Sequence, residues 1–287
     1  MNRLLGALKV LLVLALDFLG IYSTFHNTSI AIIAIGIIVI YVMFGGYLAI
    51  LKDRAVISGN LPSYQRDRLE KAKAQILSDI KSTAGVTLSG INLYLVPGND
   101  ELNATAYGAN CISVTDATLK STDPVTLRAV LAHEACHIIN FDAEFNRAVF
   151  CSVTLLVVLL SIMSFAAVAI IFLLFLVLSW FKSWLGFMVF RGTTRAVRSI
   201  FEAIKKGVVI AYRTLLGLVS RNAEYRSDRY ACTLGYGVQL AHFLELAEPD
   251  NQRFFTITDA IYQSHPPTPK RIARIESQLL LQNSQKK

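Results

Sequence analysis

Residues 123–140 read Asp-Pro-Val-Thr-Leu-Arg-Ala-Val-Leu-Ala-His-Glu-Ala-Cys-His-Ile-Ile-Asn, and their reading decides the fold. Asp123 followed by Pro124 is a helix start, with Asp as N-cap and Pro at the first helical position. Val125, Leu127, Val130, Leu131, Ile138 and Ile139 give this helix a stripe to bury. It carries His133-Glu134-Ala135-Cys136-His137, the pattern H-E-x-x-H. Two histidines four residues apart project from one face and can hold one Zn²⁺ per chain. Glu134 stands beside that metal, where it can take a proton from the attacking water. The chain has five histidines in 287 residues. A chance match of this kind occurs in well under roughly one such chain in a hundred. Cys136 lies inside the motif, but at its helical offset it sits to one side of both histidines and reads as packing.

Outward from this helix the chain is a membrane protein. It is 54% hydrophobic, with a mean hydropathy of +0.48, too apolar for an ordinary soluble domain. Its net charge of +8 is gathered beside apolar runs and is not interleaved with aromatics. That excludes a nucleic-acid surface and fits the positive-inside rule. Residues 4–22 and 30–51 are each near bilayer length and are joined by a short polar link, so 1–52 is a predicted transmembrane hairpin. A cleaved signal peptide is discounted, since no small-x-small site follows and a second span comes at once. Arg3 and Lys9 stand at its start, Lys52 and Arg54 at its end. Both ends are therefore expected to face the cytoplasm, and residues 53–147 with them, as the first part of a catalytic domain.

A third apolar stretch, 148–190, is interrupted only by Lys182 and is too long for one ordinary span. The histidine helix precedes it and further site residues follow it, so the chain between must cross an even number of times. Spans at 148–166 and 168–190, with a tight turn near Ser164, satisfy this. They place Arg191, Arg195, Arg198, Lys205 and Lys206 on the cytoplasmic side, and residues 191–287 complete the catalytic domain there. The alternative is one long tilted span followed by a charged span near 200–220. It ranks second because it leaves a strongly basic loop outside. The expected fold is thus mostly α, with about four transmembrane helices and a cytoplasmic α+β domain. The cysteines at 111, 136, 151 and 232 form no C-x-x-C and are expected to be free thiols.

In the soluble segments, residues 64–82 predict a helix with Leu69, Ala72, Ile76 and Ile80 on its apolar face. Residues 91–96, 103–108 and 111–115 are strand-like and predict a small sheet leading into the histidine helix. Such a sheet can leave an edge strand beside the metal, onto which an extended peptide adds. Asn103, Ala104, Thr105, Ala106 and Tyr107 are that candidate strand, the Thr105 N–H being one of the groups offered. Residues 193–234 are helical again. Within them Glu224 and Asp228 share one face. Alone they would read as a solvated surface with Arg221, Arg226 and Arg229. With H-E-x-x-H upstream, Glu224 is the expected third ligand, and Asp228 the carboxylate that holds a ligand histidine by its other nitrogen. The metzincin pattern H-x-x-G-x-x-H is absent. Glu144 lies seven residues beyond His137, about two turns or roughly 10 Å along the axis, too far for the same metal. Residues 264–272 read Ser-His-Pro-Pro-Thr-Pro-Lys-Arg-Ile, and an amphipathic helix follows through Leu281.

Taken together, N-A-T-A-Y-G at 103–108, L-A-H-E-A-C-H at 131–137, S-R-N-A-E-Y-R-S-D at 220–228 and S-H-P-P-T-P-K-R-I at 264–272 resemble the HtpX-like membrane zinc metallopeptidases, relatives of the type I CAAX prenyl endopeptidases. The resemblance covers roughly residues 60–280. It implies a zincin domain of the gluzincin type on membrane helices, facing the cytoplasm of a bacterial inner membrane. It implies His133, His137 and Glu224 as zinc ligands, Glu134 as general base, Asp228 as a second-layer partner, and His265 and Arg271 in the supporting network. The region before 220 is more charged than the last span of that family. Four spans are too few for the usual CAAX prenyl protease, so the implied role is quality control of membrane or misfolded proteins.

The expected chemistry is metal-assisted peptide hydrolysis, with His265 as first candidate donor to the oxyanion and Tyr225 and Tyr262 behind it. A non-catalytic, zinc-stabilised membrane adaptor is the alternative; a structural site has no use for Glu134. A transporter is disfavoured, because intramembrane polar groups are few and no broken repeat is visible. The expected partners are a polypeptide substrate and the bilayer, with no nucleic acid.

Overall fold

A computed structural model describes residues 3–88, 90–108, 110–179, 184–247 and 266–284. In chain order the elements are α1 (Arg3–Phe25), α2 (Thr28–Lys52), β1 (Val56–Ile57), α3 (Ser63–Ala84), β2 (Asn92–Val96), β3 (Ala104–Gly108), β4 (Cys111–Thr115), α4 (Asp116–Ser121), α5 (Pro124–Ile139), α6 (Asp142–Ser179), α7 (Trp184–Thr233), α8 (Gly237–Ala247) and α9 (Thr268–Ser284). The chain divides into two compact units, residues 1–148 with 217–287, and residues 149–216. Among the described residues, α1, α2 and the 142–177 part of α6 are long and apolar enough to cross a membrane.

The first unit holds the core. The predicted stripe of α3 is realised, with Leu69, Ala72, Ile76 and Ile80 all buried. It packs with Leu93, Leu95, Ile112, Val114, Leu127 and Leu131 from the sheet and α5. The sheet order is β1-β2-β4-β3. β2 pairs with β4 in parallel, and β3 pairs with β4 antiparallel. β3 is therefore an edge strand. It ends at Gly108, whose φ of +80° only glycine adopts without strain. A Cβ there would also strike the Glu144 carboxylate.

α5 starts as its sequence dictates. The Asp123 carboxylate accepts from the N–H groups of Val125 (2.7 Å) and Thr126 (3.2 Å). It stops at Ile139. Asn140 caps it and Phe141 adopts φ +55°, so α6 sets off in a new direction. The helix does not run on to Glu144, as the axial-distance argument assumed. Glu144 is on α6, beside Gly108 and Arg147, away from the histidines.

The turn expected near Ser164 is not formed. Residues Asp142–Ser179 are one helix of 38 residues, about 57 Å long at 1.5 Å per residue. Residues 161–175 contain no Gly or Pro, and Ser161 satisfies its hydroxyl on the Val157 carbonyl (2.8 Å) inside the helix. Nothing in the stretch terminates a helix. In the second unit α6 and α7 lie antiparallel, with Phe175 stacked on Phe190 at 4.6 Å between ring centroids. Lys182, the awkward charge of the predicted hairpin, lies outside the described residues.

Within the first unit, the α1–α2 hairpin is seated on the rest through glycines. A Cβ on Gly6 would lie 2.6 Å from the Asn140 carbonyl oxygen, and one on Gly46 would lie 2.5 Å from that of Tyr107. Arg147 fills the space beside Gly45, donating to Val42 O (2.9 Å) and Tyr107 O (2.7 Å).

Candidate active site

α5 presents His133 and His137 on one face, as their spacing requires, and α7 brings Glu224 against them. The two Nε2 atoms are 3.2 Å apart. Glu224 Oε2 is 3.4 Å from His133 Nε2, and Oε1 is 3.6 Å from His137 Nε2. One ligand atom from each residue lies within 4.8 Å of the others, the spacing of donors around a single cation.

What turns both Nε2 atoms inward is a carboxylate behind each ring. His133 Nδ1 lies 3.0 Å from Asp228 Oδ1, an ion-pair contact off the angle of a hydrogen bond. Asp228 is held in turn by Arg271, whose Nε and Nη2 donate at 2.9 and 2.6 Å. The same guanidinium reaches Glu224 Oε2 at 3.1 Å. His137 Nδ1 lies 2.9 Å from Asp142 Oδ2. Arg226 donates to both Asp142 oxygens, at 2.7 and 2.6 Å. Burial disfavours a charge on His133, yet Asp228 and Glu224 outweigh it and raise its pKa well above the ordinary value. Glu134, Asp142, Glu224 and Asp228 are opposed here by Arg226 and Arg271. With neutral histidines two negative charges remain, which a divalent cation balances. The donor set and its charge both fit zinc.

Glu134 is buried beside the triangle. Its Oε2 accepts from the Ala106 N–H of β3 at 2.7 Å. That bond fixes the polarity of the edge strand. Asn103 turns its backbone inward, its carbonyl accepting from Thr115 N–H (3.1 Å). Alternation sends Thr105 inward with it and sends Ala104 and Ala106 to the open side. The Thr105 N–H is therefore spent on the sheet, contrary to expectation, and Ala104 offers the free edge. Tyr107 does not face the site either. It is buried, its carbonyl taken by Arg147 and its hydroxyl hydrogen-bonded to Asp53 at the end of α2. Asn103, Ala104, Thr105 and Ala106 line one cleft of about 510 Å³ with His133, Glu134, His137, Glu224 and Arg271.

Other candidates fall away. Cys136 is fully buried, and burial pushes its thiol up to about 11, as suits a packing residue. Tyr225 carries the Arg274 guanidinium 3.6 Å over its ring and does not line the cleft. His265 and Tyr262 lie outside the described residues. Sequence reasoning missed Asp142 and Arg226. The only signal was Asn140 after the motif, a helix-ending residue that brings position 142 round to His137. Asp142→Asn is expected to weaken zinc binding about tenfold to a hundredfold. Equilibrium zinc titration of the purified protein measures it; unchanged affinity would show that the Asp142 contact does not support His137.

The family described as Peptidase family M48 matches residues 67–279. No curated protein matches. Among solved structures, Ste24p of S. mikatae has a similar fold, with a TM-score of 0.52 and 19% sequence identity. The match covers 92% of this chain and 61% of that one, so the present chain spans under two thirds of the length of Ste24p. The likeness is one of fold.

Proposed function

The chain belongs to peptidase family M48, and from that premise we propose that it is a zinc-dependent endopeptidase of the bacterial inner membrane, hydrolysing membrane or misfolded proteins on the cytoplasmic side as quality control. The observation that carries this reading is the meeting of three elements in one cleft: the His133–His137–Glu224 triangle, the Glu134 carboxylate and the open edge of β3. A structural metal site would need only the first. Zinc bound by the triangle supplies Lewis acidity, which polarises a carbonyl and acidifies water.

The protein's own groups do the rest. With Oε2 anchored on Ala106, Glu134 keeps Oε1 to accept the proton of the attacking water and to return it to the leaving amine. An extended substrate pairs with Ala104 and with the Ala106 carbonyl, which sets its scissile bond beside Glu134. His265 is the proposed donor to the oxyanion. Hydrolysis of unfolded casein by the detergent-solubilised chain, abolished by a chelator and restored by zinc, is the expected result. Activity indifferent to chelation would sink the reading. Ala104→Pro removes one outward N–H and is expected to lower kcat/KM for extended peptides about two- to tenfold with zinc content unchanged. Normal cleavage by that variant would place the substrate elsewhere.

For topology, we read the unbroken helix α6 as a single crossing, and on that reading Glu224 returns to the side of His133 only if α7 crosses back. The charged span near 200–220 is therefore the proposed fourth crossing. Cysteines introduced at 60 and 285 should be labelled from the cytoplasmic face and one at 195 from the other. Labelling of all three from one face would require a different path for α6 and α7.

A further inference from the structure

Within residues 149–216, α6 and α7 enclose a groove of about 750 Å³ that the peptidase reading does not use. Its apolar lining includes Phe165 and Phe172 from α6, both exposed on the helix surface, and Phe190 from α7. Its rim is cationic, with Arg191, Arg195 and Arg198. These arginines recur at i, i+4 and i+7, so one helix face presents all three. Among the described residues none is in ion-pair contact with a carboxylate. The single acid on the groove, Glu202, is taken by Lys205 at 2.5 Å. The Thr194 hydroxyl, also on the groove, is shielded and has no hydrogen-bond partner among the described residues.

An apolar floor alone is ordinary in a membrane segment, and three exposed arginines alone are a solvated face. Joined in one groove they match a molecule with acyl chains at one end and a negative phosphate at the other. Guanidinium groups bind phosphate oxygens in pairs, and shielded donors such as the Thr194 hydroxyl complete such a site. Depth agrees. Phe165 and Phe172 lie about 25–36 Å along α6 from Ala148, where its apolar run begins. A helix that enters the bilayer near Ala148 passes there from the last part of the hydrocarbon into the opposite headgroups, the depth at which a phosphate and the first part of its acyl chain lie. We infer that this groove binds an anionic phospholipid, with the phosphate on Arg191, Arg195 and Arg198 and an acyl chain along the phenylalanines. The charge pattern then makes sense. On the topology proposed above, this basic cluster lies on the far side of the membrane against the positive-inside tendency, and a bound anionic headgroup neutralises it.

The test is native mass spectrometry of the full chain in a neutral detergent, offered dioleoylphosphatidylglycerol, dioleoylphosphatidylcholine or glycerol 3-phosphate at equal concentration. Phosphatidylglycerol should be retained at least about tenfold over phosphatidylcholine, and glycerol 3-phosphate should not be retained. The R191Q/R195Q/R198Q variant should hold the two lipids equally. Its zinc content reports folding, because the zinc site contains none of these residues. If the triple variant loses zinc, Arg195→Gln alone is measured and should show a partial loss of preference. Equal retention of the two lipids by the native chain would overturn the inference. So would an undiminished preference in the folded variants, or capture of glycerol 3-phosphate as strong as that of the lipid.

Discussion

Replacing Glu134 with alanine is expected to leave the metal in place and to abolish peptide hydrolysis. Glu134 is not a corner of the ligand triangle, so zinc content should stay near one per chain. General-base catalysis is worth about 10²–10⁴ in rate, and a fall of that size or larger is expected in casein turnover. The side chain has a second job, because it anchors the Ala106 N–H of the edge strand. Alanine leaves that half-buried donor without its protein partner, facing a cleft where water can replace it, at a cost of under about 1 kcal/mol. Glu134→Gln separates the two roles, since its amide oxygen still accepts from Ala106 but cannot take a proton. Both variants should be equally inactive, with only alanine losing thermal stability. Metal analysis beside a peptidase assay decides the matter; near-normal turnover by either metal-loaded variant would remove Glu134 from the base role.

Glu224→Gln is expected to cut zinc affinity by well over about a hundredfold, beyond the tenfold-to-hundredfold range of residues that only brace a ligand. The charge is lost at the one corner of the triangle not supplied by α5. Arg271, which spans Glu224 and Asp228, is left with a single carboxylate. Asp228→Asn and Asp142→Asn keep all three ligands and should fall within the smaller range. The order of the three titrations is the prediction. Equal and negligible losses would mean that zinc is held otherwise, and the described alternatives are few. Glu245 lies on the exposed side of α8, by His242, and Glu248 is outside the described residues.

The triangle was legible because its parts are local. H-E-x-x-H fixes two ligands by helical period alone, and Glu224 with Asp228 repeats the same spacing two helices later. The α3 stripe was legible for the same reason. Asp142 was not, because its position depends on one backbone angle at Phe141 that converts a helical offset into a corner. The parallel pairing of β2 with β4 was hidden as well, since strand partners across intervening residues leave no local trace. The spurious turn near Ser164 came from judging 148–190 by length. An apolar run records that a helix is buried or in lipid, but only breakers record where it ends, and residues 161–175, around the expected turn, have none. The inward direction of Thr105 follows from pairing register, which hydrophobic pattern could not supply where both strand neighbours are alanines.

The division of the ligands between α5 and the far end of α7 has a consequence for how the protein is born. The histidines leave the ribosome long before Glu224, and at about 5–20 residues per second the interval lasts several seconds. During it the nascent chain holds a half-built catalyst beside the translation and insertion machinery. It is harmless there, since two imidazoles do not make a peptidase, and Arg271, the clamp on Glu224 and Asp228, is made later still. On the proposed function, hydrolytic power is thus withheld until both long helices have been made. Chains stopped before residue 224 should be inert toward casein even with zinc added, so an interrupted round of synthesis releases no stray protease.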